Sequence, residues 1–163
     1  MDFWKRSHII KPKVDIDTNL KLSFNNLKRR IKKNEGYSQT PYKDQLGYFT
    51  IGYGHLIKKL EKNYFKIKYS QKHFEEMFDK DFKKAVKDYQ TLFAKKKHNH
   101  KEKELLIEMV FQLGAKGVLK FKKFLFFLNK KQKYMTCLEM IDSLWYKQTP
   151  KRVDNLIKNY TKK

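Results

Sequence analysis

The chain has 163 residues, of which 40% are hydrophobic and 15% aromatic, and this composition is that of a globular protein able to bury a sizeable core. Thirty-nine Lys and Arg against 17 Asp and Glu give a formal net charge of +22. Such an excess attracts nucleic acid, anionic lipid and the bacterial envelope alike, so charge by itself assigns no partner.

The first predicted element is an amphipathic helix that begins near Leu20. Its apolar positions recur at steps of four, three and four, which places them on one helix face, and Gly36 ends the helix. Residues 1–24 are rich in charge and contain no apolar run of signal-peptide length. We therefore expect neither a secretion signal nor a membrane anchor. The apolar positions of this helix are Leu20, Phe24, Leu27 and Ile31.

A β-hairpin is predicted next, because the period of the pattern changes. Residues 44–47 have Asp at the first and Gly at the last position, as type I turns favour. The strand that follows, residues 48–54, is expected to leave one face almost bare of side chains. The residues of that bare face are Thr50, Gly52 and Gly54, opposite Phe49, Ile51 and Tyr53.

A long helix with an aromatic stripe is predicted after the hairpin. Ser70 is expected to cap it, and the stripe continues to Phe93, as one helix or as two nearly collinear ones. A polar break is expected over residues 95–103, where we interpret His98 and His100 as solvated side chains.

Shorter helices are predicted in the remainder of the chain. One ends at Gly114, and the next has apolar positions at helical spacing over residues 118–128. The last is amphipathic over residues 153–160, with Thr149 as its N-cap and Pro150 as its first helical residue. Between them, the single cysteine, Cys137, cannot form an intramolecular disulfide. Its apolar helical pattern with Leu138 and Ile141 predicts a buried, unreactive thiol.

The order of these elements implies an α+β fold. We expect an N-terminal extension over residues 1–24 and a catalytic domain over residues 25–163. Within it, a small lobe with a short antiparallel sheet, residues 36–80, is joined by a long helix to a mostly helical lobe, residues 81–163. The helix over residues 25–35 is expected to pack on the helical lobe.

Two carboxyl groups beside the hairpin are candidates for acid–base catalysis. Glu35 ends the first helix, where free carbonyls and the helix dipole disfavour negative charge, so its proton should be held tightly. Asp44 opens a solvated turn and should stay ionised. Glycoside hydrolysis needs such a pair, one group to protonate the leaving oxygen and one to activate water or attack directly. Thr50 is placed to help orient a water, although the pattern alone leaves all three open as ordinary surface residues.

Two separated blocks of sequence carry a more specific pattern. In the first, Glu35, Asp44 and Thr50 are followed by a run ending in Gly52-Tyr53-Gly54-His55. The second comprises residues 109–121 and 145–152. Both blocks resemble the T-even-phage lysozyme family, glycoside hydrolase family 24, in the same order and covering most of residues 25–158. The resemblance therefore identifies the chain as a lysozyme-like protein.

The resemblance implies a muramidase that hydrolyses the β-1,4 bond between N-acetylmuramic acid and N-acetylglucosamine, generally with inversion. It implies that Glu35 is the acid, Asp44 the second carboxylate and Thr50 the residue that helps position water. It implies no cofactor and no metal. A monomer that acts on peptidoglycan, with electrostatic contact to the anionic envelope, is expected. A phage enzyme of this kind would wait in the host cytoplasm until a separate protein permeabilised the membrane, and then lyse the host; a tail-borne or cell-encoded version is left open.

Further site residues are implied by the resemblance alone. Arg152 matches a cation near the acid, and His55 and Asp81 match a pair that ties the hairpin to the long helix. The positions that match substrate contacts, including a polar residue beside the acid, are Leu56, Phe111 and Gln112.

The chain departs from the family at several positions near the implied cleft. Asn34 and Asn155 stand where the family commonly has an acidic and a basic residue, so two amides replace a charged pair. Glu108 replaces a polar amide, and Phe124 and Glu139 occupy substrate-contact positions with unfamiliar side chains. The family's last helix is also missing after residue 160, and we hypothesise that the N-terminal extension covers that surface.

Two other functions stay open at this stage. The charge suits a nucleic-acid-binding module, which would bind random duplex in a steeply salt-dependent manner, but only four residues are Arg and no reading motif is present. A catalytically idle scaffold that binds the envelope by charge would fit the composition equally well. A zinc role for His55 is disfavoured, because no second His stands at metal-ligand spacing.

Overall fold

A computed structural model describes residues 24–44 and 47–162 of the chain. The extension up to residue 23, with Leu20, and the central turn residues 45–46 lie outside the described residues. Within them the chain forms seven α-helices and a three-stranded antiparallel sheet of order β1-β2-β3. This is the predicted α+β architecture, in which a small sheet near the N-terminus precedes a mostly helical remainder.

The elements in chain order are α1 (Asn25–Glu35), β1 (Ser38–Lys43), β2 (Phe49–Gly52), β3 (His55–Leu56), a 3-10 helix (Lys62–Phe65), α2 (Gln71–Leu92), α3 (His100–Leu119), α4 (Lys122–Asn129), α5 (Lys133–Ile141), α6 (Leu144–Gln148) and α7 (Pro150–Thr161).

Helix α1 follows the predicted apolar stripe. Leu27 and Ile31 are fully buried, Phe24 is buried just before the helix, and Gly36 ends it with a φ of 72°. That positive φ is a backbone conformation that glycine adopts without steric cost. The helix therefore ends directly after Glu35, as the sequence predicted.

The sheet differs from its prediction at its second turn. The β1–β2 turn is confirmed, since the Gly47 N–H donates to the Asp44 carbonyl at 3.0 Å. The expectation of one strand through residue 54 was wrong, because positive φ values of 64° at Gly52 and 74° at Gly54 turn the chain into β3. Phe49 is exposed, with its ring 5.0 Å from that of Phe65, whereas Ile51 is buried.

Helix α2 is a single helix of 22 residues. The Ser70 hydroxyl caps it by accepting from the His73 N–H at 3.3 Å, as predicted. Its apolar stripe serves two clusters. Phe74 and Met77 pack under the sheet against Ile51, while Phe78 and the residues after it join the main core.

Helix α3 begins inside the polar break that was expected over residues 95–103. Asn99 and Glu102 form a reciprocal capping box, with both hydrogen bonds at 2.9 Å, so the helix starts at His100. His98 was interpreted as solvated, and this was wrong. Its ring is buried, its Nδ1 lies 3.1 Å from the Tyr89 hydroxyl, and burial lowers its pKa. The lysines beside His98 made the segment look polar in the sequence. Its burial depends on the packing of α2 against this loop, which the local sequence does not indicate.

The C-terminal helices lie at the predicted positions in the chain, but some of their predicted contacts differ. Gly114 has a φ of 70° and a ψ of 164°, which are not helical values, so the first helical segment of α3 ends there as predicted and a second segment continues to Leu119. Cys137 is buried as expected, and burial raises the pKa of its thiol. Leu138 and Ile141, its predicted apolar companions, are exposed. Thr149 is the N-cap residue of α7 and Pro150 its first helical residue, as predicted. The Thr149 hydroxyl makes no capping hydrogen bond and instead donates to the Trp145 carbonyl at 3.1 Å.

Polar contacts attach the sheet to the helices. Glu75 of α2 accepts from the Tyr53 hydroxyl at 2.6 Å and pairs with Lys32 of α1. His55 of β3 lies with Nδ1 2.7 Å from the Asp81 carboxylate of α2. Burial lowers the pKa of His55, but the carboxylates of Asp81 and Glu61 outweigh burial, and the net pKa is raised.

The Asp81→Asn variant is expected to lose stability in a pH-dependent way. Because the folded-state pKa of His55 is raised, the pair stabilises the fold fully below the unfolded pKa of about 6.5 and loses its effect as pH rises through the folded value. Asp81 is 36% exposed, so solvent screening limits the loss to about 1 kcal/mol at acidic pH. Chemical denaturation at acidic and alkaline pH measures it.

Asp88→Asn is the matched control on the same helix, since it breaks only the exposed Lys84–Asp88 pair. Its effect should be small and should not depend on the state of His55. An equal loss of stability for Asp81→Asn at both pH values would contradict the interpretation.

Candidate active site

Glu35 lies at the last position of α1 and is held from the opposite end of the chain. The Arg152 guanidinium, on α7, donates from Nη2 to Glu35 Oε1 at 2.8 Å. Both side chains are largely buried. The end of α1 is thereby joined to α7 across a separation of 117 residues.

The hairpin closes the other side of Glu35. A Cβ built on Gly54 would lie 2.6 Å from Glu35 Oε2 and 3.1 Å from its carboxyl carbon. No side chain fits at this position without displacing the carboxyl group, and the φ of 74° independently favours glycine. The β2–β3 turn is therefore in direct contact with the acid.

Burial is the main cause that raises the pKa of Glu35 above its ordinary value. The charge and hydrogen bond of Arg152 oppose the rise, and the nearby charge of Glu108 adds to it. The direction agrees with the sequence prediction, although the prediction named the helix dipole and not desolvation. A carboxyl group with a raised pKa holds its proton to higher pH than an ordinary Glu does, which suits it to act as a proton donor.

Asp44 and Thr50 lie along the same hairpin, farther from the β2–β3 turn. The Tyr48 N–H donates to Asp44 Oδ1 at 2.9 Å, beside the start of β2. Thr50, in the middle of β2, is buried, pairs with Tyr42 and Leu56, and its hydroxyl lies 3.4 Å from the Tyr42 carbonyl. The hairpin therefore carries Asp44, Thr50 and Gly54 in that order, and its Gly54 turn contacts Glu35.

Glu108, expected near the cleft from the sequence, is a buried carboxylate that binds the last turn of α1, and its partners were not predicted. Glu108, on α3, accepts from Arg30 Nε at 2.7 Å and from Asn34 Nδ2 at 2.9 Å. Of the two amides that replace a charged pair of the family, Asn155 is exposed and Asn34 binds Glu108. The available signal was the spacing of Arg30 and Asn34, four positions apart on one face of α1.

The remaining implied contact residues have mixed environments. Leu56 is exposed on β3, and Phe111 is half-buried with its ring 5.5 Å from that of Phe78. Gln112 accepts from the Trp145 indole N–H at 3.0 Å. Phe124, which departs from the family at a substrate-contact position, is only 1% exposed and part of the main core.

The described residues contain neither a cluster of metal-ligating side chains nor a membrane-spanning helix. Among residues 24–44 and 47–162, no group of three or more His, Cys, Asp or Glu side chains is arranged to hold a metal ion. In the same part of the chain, no helix is both long and apolar enough to cross a membrane.

Known proteins match this chain over most of its length. A family model described as Phage lysozyme matches residues 32–162. Probable T4-type lysozyme 1 of Dictyostelium discoideum is 34% identical over 154 residues, covering 80% of this chain and 91% of the relative. Probable T4-type lysozyme 2 of the same organism is 33% identical over 156 residues, with the same two coverages.

The matched region contains Glu35, Asp44, Thr50 and Arg152, the residues that the fold gathers around the hairpin. Together with the α+β fold, these similarities show that the chain belongs to the phage lysozyme family and is a glycoside hydrolase of the lysozyme type.

Proposed function

We propose that the protein hydrolyses the β-1,4 bond between N-acetylmuramic acid and N-acetylglucosamine in peptidoglycan, with Glu35 as the general acid. The observation that carries this proposal is the buried Glu35 carboxyl, held by Arg152 and closed in by Gly54, with its pKa raised. Desolvation keeps the proton on the group until a leaving oxygen accepts it.

In the proposed reaction, Glu35 donates its proton to the glycosidic oxygen as the bond to the anomeric carbon breaks. Water attacks that carbon from the opposite face, and Asp44 accepts the proton that the water loses. The Thr50 hydroxyl helps to orient the water. Leu56, Phe111 and Gln112 are proposed to contact the glycan. Both carboxyl groups return to their starting states after product release and proton exchange with solvent.

Glu35→Gln is expected to reduce hydrolysis by at least about 100-fold, the lower range for loss of a general acid. Asp44→Asn should reduce it strongly, and Thr50→Ser should retain more activity than Thr50→Val. Turbidity of permeabilised Gram-negative cells measures the rate. Asp142→Asn, which removes an exposed carboxylate elsewhere, should act like the unchanged protein. Full clearing by Glu35→Gln would instead support an idle envelope-binding scaffold.

Gly54→Ala is expected to reduce activity far more than stability. The new methyl group would displace the Glu35 carboxyl from Arg152, whereas the positive φ costs about 1–2 kcal/mol. Gly114→Ala is the matched control, because its φ is 70° and nothing lies within 4 Å of the new Cβ. Comparable activity losses in the two variants, measured alongside their melting temperatures, would contradict a specific contact between the turn and the acid.

The +22 charge is proposed to concentrate the enzyme on the anionic envelope. Sedimentation with purified cell walls should therefore decrease as salt rises, because screening weakens long-range attraction. Hydrolysis of a short soluble peptidoglycan fragment, which carries few charges, should change much less over the same salt range. Tight, equally salt-sensitive binding to random duplex without any wall binding would favour the nucleic-acid alternative.

The biological setting is proposed as release to the cell wall after membrane permeabilisation, as in lysis of a bacterial host. A cell-encoded enzyme is the second setting, supported by the two similar proteins from Dictyostelium discoideum. Bacteria that express the chain should lyse only after their inner membrane is permeabilised. Spontaneous lysis during expression would overturn the proposed dependence on a separate permeabilising step.

A further inference from the structure

Glu108 binds the final turn of α1 from behind the acid. Its side chain is 3% exposed, and each of its two oxygens accepts one N–H, from Arg30 and from Asn34. Because Arg30 and Asn34 are four positions apart, they lie on one face of α1, and Glu108 spans the turn between them. Glu35 is the next residue after Asn34. The contact therefore sets the position of the backbone that carries the acid.

The state of Glu108 follows from its partners. Both oxygens accept hydrogen bonds, which is the pattern of the ionised form. Burial outweighs the charges of Arg30 and Arg152 and the bonds from Arg30 and Asn34, so the pKa of Glu108 is raised above its ordinary value. The ionised form is assigned from the geometry, because Arg30 Nε donates to one oxygen at 2.7 Å and Asn34 Nδ2 to the other at 2.9 Å. Arg30 also lies 3.6 Å from the Glu104 carboxylate, which His100 approaches at 3.4 Å. Glu108 is thus a buried anion balanced mainly by the Arg30 guanidinium.

Two charged side chains act on Glu35 from the elements packed around it. Arg152 acts from α7 and favours the ionised acid, whereas Glu108 acts from α3 and opposes ionisation. The β2–β3 turn contributes only the Gly54 backbone at the carboxyl group. Arg152 acts on Glu108 as well, so the two carboxyl groups share its positive charge.

Stability alone does not explain why the Arg30–Glu108 pair is buried at this position. Replacing a buried ion pair by apolar residues of similar volume is often neutral or stabilising, because desolvation offsets the Coulomb attraction. A charged pair placed directly behind a catalytic acid has another use, since orientation and charge at the acid both affect proton transfer.

We propose that Glu108, held by Arg30 and Asn34, is a positioning residue for Glu35 that orients the last turn of α1 and maintains a negative charge behind the acid. This inference rests on the proposed role of Glu35 as general acid. Its consequence is that the pH above which the enzyme loses activity depends on Glu108, a residue that does not touch the substrate.

The first test is Glu108→Gln, which keeps the size and one acceptor oxygen of the side chain but removes its charge. Loss of the negative charge makes ionisation of Glu35 easier, so the alkaline limb of the pH profile of kcat/KM should move to lower pH. At a fixed pH on that limb, kcat/KM should fall several-fold. An unmoved limb would overturn the proposal.

A charge-balanced variant separates electrostatics from folding. Arg30→Gln combined with Glu108→Gln removes both charges of the buried pair. Arg30 is not among the charges that act on Glu35, so the limb should stay at the position reached in Glu108→Gln, whatever the melting temperature. Glu102→Gln is the matched control. It removes another buried carboxylate of α3, paired with Lys131, and should leave the limb unmoved. Equal limb shifts in Glu102→Gln and Glu108→Gln would contradict a specific effect.

Glu108→Asp keeps the charge but shortens the side chain, and it remains informative if Glu108→Gln fails to fold. It should lower kcat without moving the limb, because only the orientation of the α1 turn is disturbed. An unchanged kcat would contradict the positioning role. Activity of Glu35→Gln distinguishes the two proposals. If that variant is inactive while the Glu108 variants behave like the unchanged protein, only the present inference fails.

Discussion

The buried contact between Glu35, Arg152 and the Gly54 turn is the constraint on which the rest of the structure depends. A carboxyl group removed from water is costly unless it is neutral or paired, so the fold must deliver a partner and a closed surface together. α1 supplies the carboxyl, α7 the cation and the hairpin the surface. Burial by these elements is what raises the pKa of Glu35, whereas the Arg152 guanidinium that pairs with the group limits the rise.

The hairpin can serve as that surface because α2 holds it in place. Ile51 packs on Phe74, and His55 pairs with Asp81, so apolar and polar contacts act on the same short strands. A small sheet has little core of its own, and without these contacts its turn would not stay against the acid. Helix α2 also enters the main core, which connects the position of the turn to the packing of the helices.

The charges of the protein divide into two populations with different physical roles. The large lysine excess lies mostly on exposed positions, where solvent and salt screen each charge and individual pairs are weak. Two of the four arginines, Arg30 and Arg152, are instead buried against Glu108 and Glu35. Their forked guanidinium groups suit this setting, because they donate in fixed directions and stay charged. The net positive charge therefore lies mainly on the surface, whereas at the site two arginines face two carboxyl groups.

The sequence by itself determined the elements whose signals are local. The stripe of Leu27 and Ile31, the Ser70 cap and the glycine after Glu35 predicted helix bounds correctly, because helix period and capping depend on neighbouring residues. The tertiary structure decided which charged side chains become buried together. Arg30 meets Glu108 across 78 positions, and no local pattern specifies that distance; the packing of α1 on α3 brings the pair together and desolvates it.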